Sequence, residues 1–262
     1  MMNFLKEIHR RSPILSTTAW IHFALMIIFL LLMMVDHRQL LGVNVWNKPF
    51  KFAASIFLYL LTFAYLVEYV KHLRIKRFIE VGTAITMIVE IVLISMQAAR
   101  GVRSHFNMDS TFDSIIFSFM GVSIAFATIF ACVLAGYFSF FPPKEIPNYI
   151  NRAIQFGLWI SILGSAIGGY MSAQLQHTVG APDGGPGLPL LNWSMEYGDM
   201  RISHFVGLHA LQIIPLLALI IGKIVKQPKV RMRLTRMIIT GYLFFLIIAF
   251  SMAYTGNPIF GL

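Results

Sequence analysis

Of the eight histidines in the 262 residues, five lie in or beside polar segments between long apolar runs: His37, His105, His177, His204 and His209. An imidazole nitrogen binds Zn²⁺ or haem iron, and near neutral pH it also takes up and releases protons. The densest group of such chemistry runs from Asp199 and Arg201 through His204 and His209 to Gln212, with Pro215 just beyond. Five residues of helix carry the chain through about 500°, leaving His204 and His209 about 140° apart, so they cannot chelate one ion from a single helix face. His209 and Gln212 do share a face. Pro215 removes the amide that would bond the Leu211 carbonyl and leaves a polar backbone group beneath them.

A second group lies between Gln97 and Asp113: Gln97, Arg100, Arg103, His105, Asn107 and Asp109, with Ser110 and Asp113 spaced as a helix capping pair. Together with His177, the two groups supply His105, His204, His209 and Asp199 as metal ligands. Gln97, Arg100, Asn107, Arg201 and Gln212 would shape a cofactor pocket, with the arginines suited to haem propionates or another anion. The expected cofactor is therefore haem b or zinc. The single cysteine, Cys132, offers neither a disulfide nor a thiolate pair.

A third kind of chemistry is a proton relay. Glu90 stands in mid-run among apolar residues, where an ionised carboxylate without a partner would cost several kcal/mol. It is therefore expected to be protonated or paired. His22 lies within about 6 Å of it in depth, counting 1.5 Å per helical residue, which makes the two a candidate relay. The same count puts His22 about 20 Å and His209 about 9 Å from the outer ends of their helices, a mismatch that argues against one haem between them.

The elements that must position these residues are membrane helices. With 57% hydrophobic and only 12% charged residues, the chain is not a water-soluble domain. The apolar runs lack the period-two alternation of a barrel. Seven runs of about 20 residues are expected to span near 14–35, 52–70, 79–99, 113–136, 153–173, 203–222 and 238–255. The fold class is thus an all-α membrane protein, a seven-transmembrane-helix bundle forming a single polytopic domain over 1–262, with a long outer loop at 174–202. Ser12 and Pro13 read as the start of an uncleaved first helix.

Sidedness follows from charge. Fifteen of the 21 Lys and Arg residues fall on one side of this topology and six on the other, which assigns the N-terminus to the cytoplasm and the C-terminus to the outside. The net charge of +10 is explained by this sorting, so nucleic acid is not expected as a partner. The bilayer is the first partner, in a bacterial cytoplasmic membrane. A small-molecule or lipid substrate would arrive from the outer face, where Gly180 to Pro189 make a shaped loop that could fold over a cavity. Gly164 and Gly168 form a small-xxx-small face suited to a close helix neighbour, in the chain or in an oligomer.

Seven helices invite comparison with retinal proteins, but the last span has no lysine for a Schiff base. In helix count and polar inventory the chain resembles the membrane hydrolases of the alkaline ceramidase and adiponectin receptor superfamily. That family carries a His-x-x-x-His pair late in the bundle; the final span here has no histidine, and His204 to His209 is one residue too long. Three functions remain open. The first is a haem- or metal-binding membrane enzyme or redox protein. The second is a proton-coupled small-molecule or ion transporter using Glu90 and His22, and the third a non-catalytic assembly or sensor subunit.

Overall fold

The computed structural model describes residues 2–260. A short amphipathic helix, α1 (Met2–Arg11), precedes seven long ones: α2 (Pro13–Val35), α3 (Asn47–Leu66, continued by a 3₁₀ turn Val67–Tyr69), α4 (Leu73–Arg100), α5 (Thr111–Phe140), α6 (Asn148–Gln174), α7 (Met200–Ile224) and α8 (Pro228–Tyr254). All seven are long and apolar enough to cross a bilayer, so the protein is a multi-pass membrane protein. Their surfaces agree. Ile27, Leu31, Phe119, Val122, Leu216, Leu219, Phe244 and Ile247 are exposed along the helix flanks, an apolar surface that only lipid can cover without large cost.

The helices overrun the expected apolar runs at several ends. α4 begins at Leu73 rather than near 79, and α8 at Pro228 rather than near 238. Basic side chains in these first turns lie outside the apolar stretch yet are compatible with helix, since Lys and Arg are good helix formers. α2 starts as expected, with the Ser12 hydroxyl accepting from the Leu15 amide and Pro13 in the first turn.

By internal contacts the chain forms two compact units, Met1–Phe130 and Ala131–Leu262. In the first, α2 packs along α3, and α4 lies against both. A hairpin of β1 (Gln39–Leu40) and β2 (Val43–Asn44) joins α2 to α3; its two turn residues, Leu41 and Gly42, both have positive φ, as a tight right-twisted hairpin requires.

In the second unit α6 and α7 make the closest helix pairing, and α8 packs on α7. The reason is a row of glycines. A Cβ on Gly164 would lie 2.5 Å from the Leu208 nitrogen, and one on Gly207 only 2.4 Å from the Gly164 Cα. Two turns earlier in α6 Gly157 faces Ala210 and Leu211, and one turn later Gly168 faces the His204 ring. The Gly164 and Gly168 face offered to an oligomer is thus filled by α7 of the same chain. Hydrogen bonds without a hydrophobic drive hold helices weakly in lipid, so close backbone approach is what makes such a pair.

The loop 174–202 is ordered by one short ladder, β3 (Thr178–Val179) with β4 (Gly198–Asp199), and a single bridge from Gly187 to Ser194. It folds onto its own unit: the Gly198 amide donates to the Gly256 carbonyl at 2.9 Å, and Trp193 packs against Phe205 and Phe260. Where a lid over an outer cavity was expected, the loop leaves only a small hollow. The hollow under it holds about 30 Å³, bounded by the loop itself and Arg201.

Candidate functional site

In the first unit, α4 turns a buried face inward at Glu80, Thr83, Met87, Glu90, Ile94 and Gln97. The alternating three- and four-residue spacing keeps them on one stripe, and four of the six are polar. At 1.5 Å per residue the stripe is about 26 Å long, most of the thickness of a bilayer core. Glu90 sits within it, 1% exposed, and among the described residues neither of its carboxyl oxygens has a hydrogen-bond partner.

The group facing Glu90 comes from the loop after α4. His105 Nε2 lies 3.6 Å from Glu90 Oε1, so the loop does not lie flat on the surface. It turns back into the helices. Counting along α4 from Arg100 puts Glu90 about 15 Å below the helix end, and His105 reaches that depth. Phe52 of α3 and Phe117 of α5 flank its ring at centroid separations of 5.6 and 6.3 Å. Non-helical backbone at such depth persists only where protein buries it, and Ser104 and Asn107 are accordingly 5% and 1% exposed.

The loop is held in this shape by local bonds. The Asn107 side-chain amide donates to the Arg103 carbonyl at 3.0 Å, while its Oδ1 accepts from the Asp109 amide at 3.1 Å. Phe106, next to His105, has φ +58, the left-handed region that a bulky residue enters only under constraint. Ser104 Oγ and His105 Nδ1 are 3.2 Å apart.

Above the pair, the loop's two helix ends are tied together. Asp113 of α5 accepts from the Gln97 amide at 2.9 Å, from Arg100 at 2.6 Å and from Ser110 Oγ at 2.6 Å. Arg100 also donates to the side-chain oxygen of Gln97, Oε1. Gln97, Arg100 and Asn107, expected to line a cofactor pocket, instead clamp the loop that carries His105. Lys48, near the start of α3, adds a positive charge that acts on Glu90.

His22, the expected relay partner, is buried beside α4 one turn from Glu90. Its Nδ1 lies 2.8 Å from the Thr18 carbonyl and its Nε2 3.3 Å from that of Met87. Carbonyl oxygens only accept, so both contacts are hydrogen bonds only when both ring nitrogens carry protons. The charge partner that touches Glu90 is His105.

The remaining candidates lie in the second unit, each engaged separately. His204 Nδ1 is 2.7 Å from the Gly164 carbonyl, its ring filling the space that Gly168 leaves. His209 Nδ1 meets the Phe205 carbonyl of its own helix at 2.9 Å, its ring stacked on Phe205. His177 Nδ1 lies 3.1 Å from Asp183 and 4.0 Å from Asp199. Asp199 caps α7 through the Arg201 amide, pairs with the Arg201 side chain at 2.6 Å and accepts from the Ser194 amide. Asp183 accepts from the amides of His177 and Thr178. Gln212 lies three residues beyond His209 on α7.

Among the described residues no three His, Cys, Asp or Glu side chains gather to hold a metal ion. The physical reason is visible at each site, since every histidine of the expected set already has a carbonyl or carboxylate neighbour that orients it. What the sequence did not signal is that His105 descends to Glu90. A loop's depth depends on what it packs against, and His105 is followed by Phe106, an apolar neighbour that was the one available hint.

No protein-family model, curated protein or solved structure matches the chain.

Proposed function

We propose that this chain moves protons across the membrane, alone or coupled to a solute, and that Glu90 and His105 form its proton-exchanging pair. One observation carries the reading: a carboxyl group buried in mid-span with no hydrogen bond to either oxygen, 3.6 Å from an imidazole delivered by an inward-folded loop. A carboxyl group and an imidazole are both proton-exchanging side chains, and held side by side they can pass a proton directly or through one water. The gap is wider than a hydrogen bond, so transfer requires a small inward movement of the loop or one bridging water.

The polar stripe of α4 extends the path. His22, one turn from Glu90 and set between two carbonyls, is the next group able to carry a proton, and Thr83 continues toward Glu80. Buried ionisable groups strung along one helix are how membrane proteins build proton relays. In a haem or zinc enzyme the outer histidines would instead converge, and the geometry of the described residues favours the relay.

Proteoliposomes loaded with a pH-sensitive dye and given a potassium diffusion potential test this, without solute and with a panel of small ions and metabolites. Proton entry above that of empty liposomes is expected for the wild type. Glu90→Gln should reduce it by at least tenfold, and His105→Gln should reduce it while leaving the protein folded. Equal proton entry in Glu90→Gln and wild type, with and without solute, overturns the proposal.

A further inference from the structure

α8 is about 40 Å long at 1.5 Å per residue, some 10 Å more than a hydrocarbon core, so its first turns stand in the headgroup layer. Those turns are strongly cationic. Lys229, Arg233 and Arg236 recur at helical spacing and line an open groove of about 460 Å³ with Met232, Met237 and Thr240. All three cations are exposed and, among the described residues, make no hydrogen bond or ion pair. Arg231, on a different face, shows what an engaged arginine looks like in the same helix: its Nε bonds the Val225 carbonyl at 2.5 Å and its guanidinium lies over Tyr149.

No Asp or Glu follows Asp199 in the sequence, so α8 itself carries no acid to neutralise this groove. Below the cations the same face turns apolar. Met237, Phe244 and Ile247 are exposed along it toward mid-span. An anion-binding head continuous with an apolar track along one membrane helix has the chemical shape of a phospholipid.

We propose that Lys229, Arg233 and Arg236 form a binding site for the phosphate headgroup of an anionic phospholipid, whose acyl chains run down the exposed apolar face of α8. The groove is too open for a small anion to be enclosed. Affinity comes from three convergent charges on the phosphate together with chain contact below, and a zwitterionic headgroup, whose own ammonium meets the cations, binds less well.

The full chain in nanodiscs of phosphatidylcholine containing a minor fraction of phosphatidylglycerol provides the test, with retained lipid counted by native mass spectrometry. Wild-type protein is expected to retain phosphatidylglycerol at least tenfold above its share of the bilayer. The K229Q/R233Q/R236Q variant should lose this enrichment, while R74Q/R77Q, which removes two charges from α4, keeps it. Equal enrichment in the first variant and wild type overturns the site. So does an equal loss in the control variant, which would show a diffuse effect of charge. Loss of enrichment on adding millimolar inorganic phosphate at constant ionic strength would overturn the lipid in favour of a free phosphate. Should the triple variant fail to fold, the single R233Q is compared with R233K, and wild-type protein without enrichment overturns the proposal by itself.

Discussion

A single side chain in this protein takes its meaning from the groups that reach it. Asp36 closes the end of α2, where its carboxylate accepts from Arg38 at 2.7 Å and from the Trp46 indole at 2.8 Å. First the Arg38 guanidinium and then Trp46 hold its pKa well below the ordinary carboxylate range. A pKa depressed by folding gives stability that is present above the unfolded value of about 4 and is lost as pH falls below it. Trp46 fluorescence is therefore expected to stay constant from pH 8 down to about 4, the unfolded carboxylate value, and to change only well below it, where the Asp36 carboxylate of the folded protein takes up its proton. Asp36→Asn should show that acid-form signal already at pH 7; if it instead keeps the wild-type spectrum and acid transition, another group closes the turn. Glu90 belongs to the same scale, and among the described residues no hydrogen-bond donor meets its oxygens. Its infrared carbonyl band, absent in Glu90→Gln, should shift in His105→Gln, because His105 is the ionisable neighbour in contact with it.

Helix pairing turns on residues that have almost no side chain. Adding one methyl at Gly164 sets it 2.5 Å from the Leu208 nitrogen and 2.6 Å from the Gly207 carbonyl carbon, both backbone atoms that cannot swing aside. Overpacking of this kind costs about 1–3 kcal/mol, so Gly164→Ala is expected to lower the melting temperature of detergent-solubilised protein. Gly169 has nothing within 4 Å of its absent Cβ, and Gly169→Ala should be neutral or gain up to about 1 kcal/mol from helix propensity. Equal melting temperatures for the two variants would mean that α6 and α7 are not held by this crossing. The same crossing explains His204. Its ring occupies the notch at Gly168 and hydrogen bonds the carbonyl of the buried Gly164, so that it packs α7 against α6.

Across the molecule the decisive quantity is which residues meet lipid and on which side each loop emerges. The distribution of Lys and Arg assigns the loops at 101–110 and 174–202 to the outside and the α7–α8 connection to the cytoplasm. In a Cys132→Ser background, Met108→Cys and Gly185→Cys, both at exposed positions, should react with a membrane-impermeant maleimide in intact cells. Lys226→Cys should react only after permeabilisation. The reverse pattern would invert the topology and with it the side that the proposed Glu90–His105 pair faces.

Seven spans, their order and the start of α2 were legible in the sequence because they depend on local quantities: run length, the cost of an unpaired backbone in lipid, and the caps at Ser12 and Ser110. Glu90 was legible too, as an acid no bilayer tolerates unaided. What stands next to it was not. His105 and Glu90 are fifteen residues apart and on different elements, and only the inward fold of the 101–110 loop between Phe52 and Phe117 brings them within 3.6 Å. The outer histidines show the converse. Shared residue type suggested one metal centre, but His177, His204 and His209 each found a nearer acceptor, because in a packed interior a ring nitrogen is oriented by whatever polar group the backbone places first. The sequence alone determined which segments enter the membrane, since transfer to lipid is set residue by residue. Tertiary structure alone decided which polar groups share a site, since that follows from helix rotation and loop depth, which no local pattern encodes.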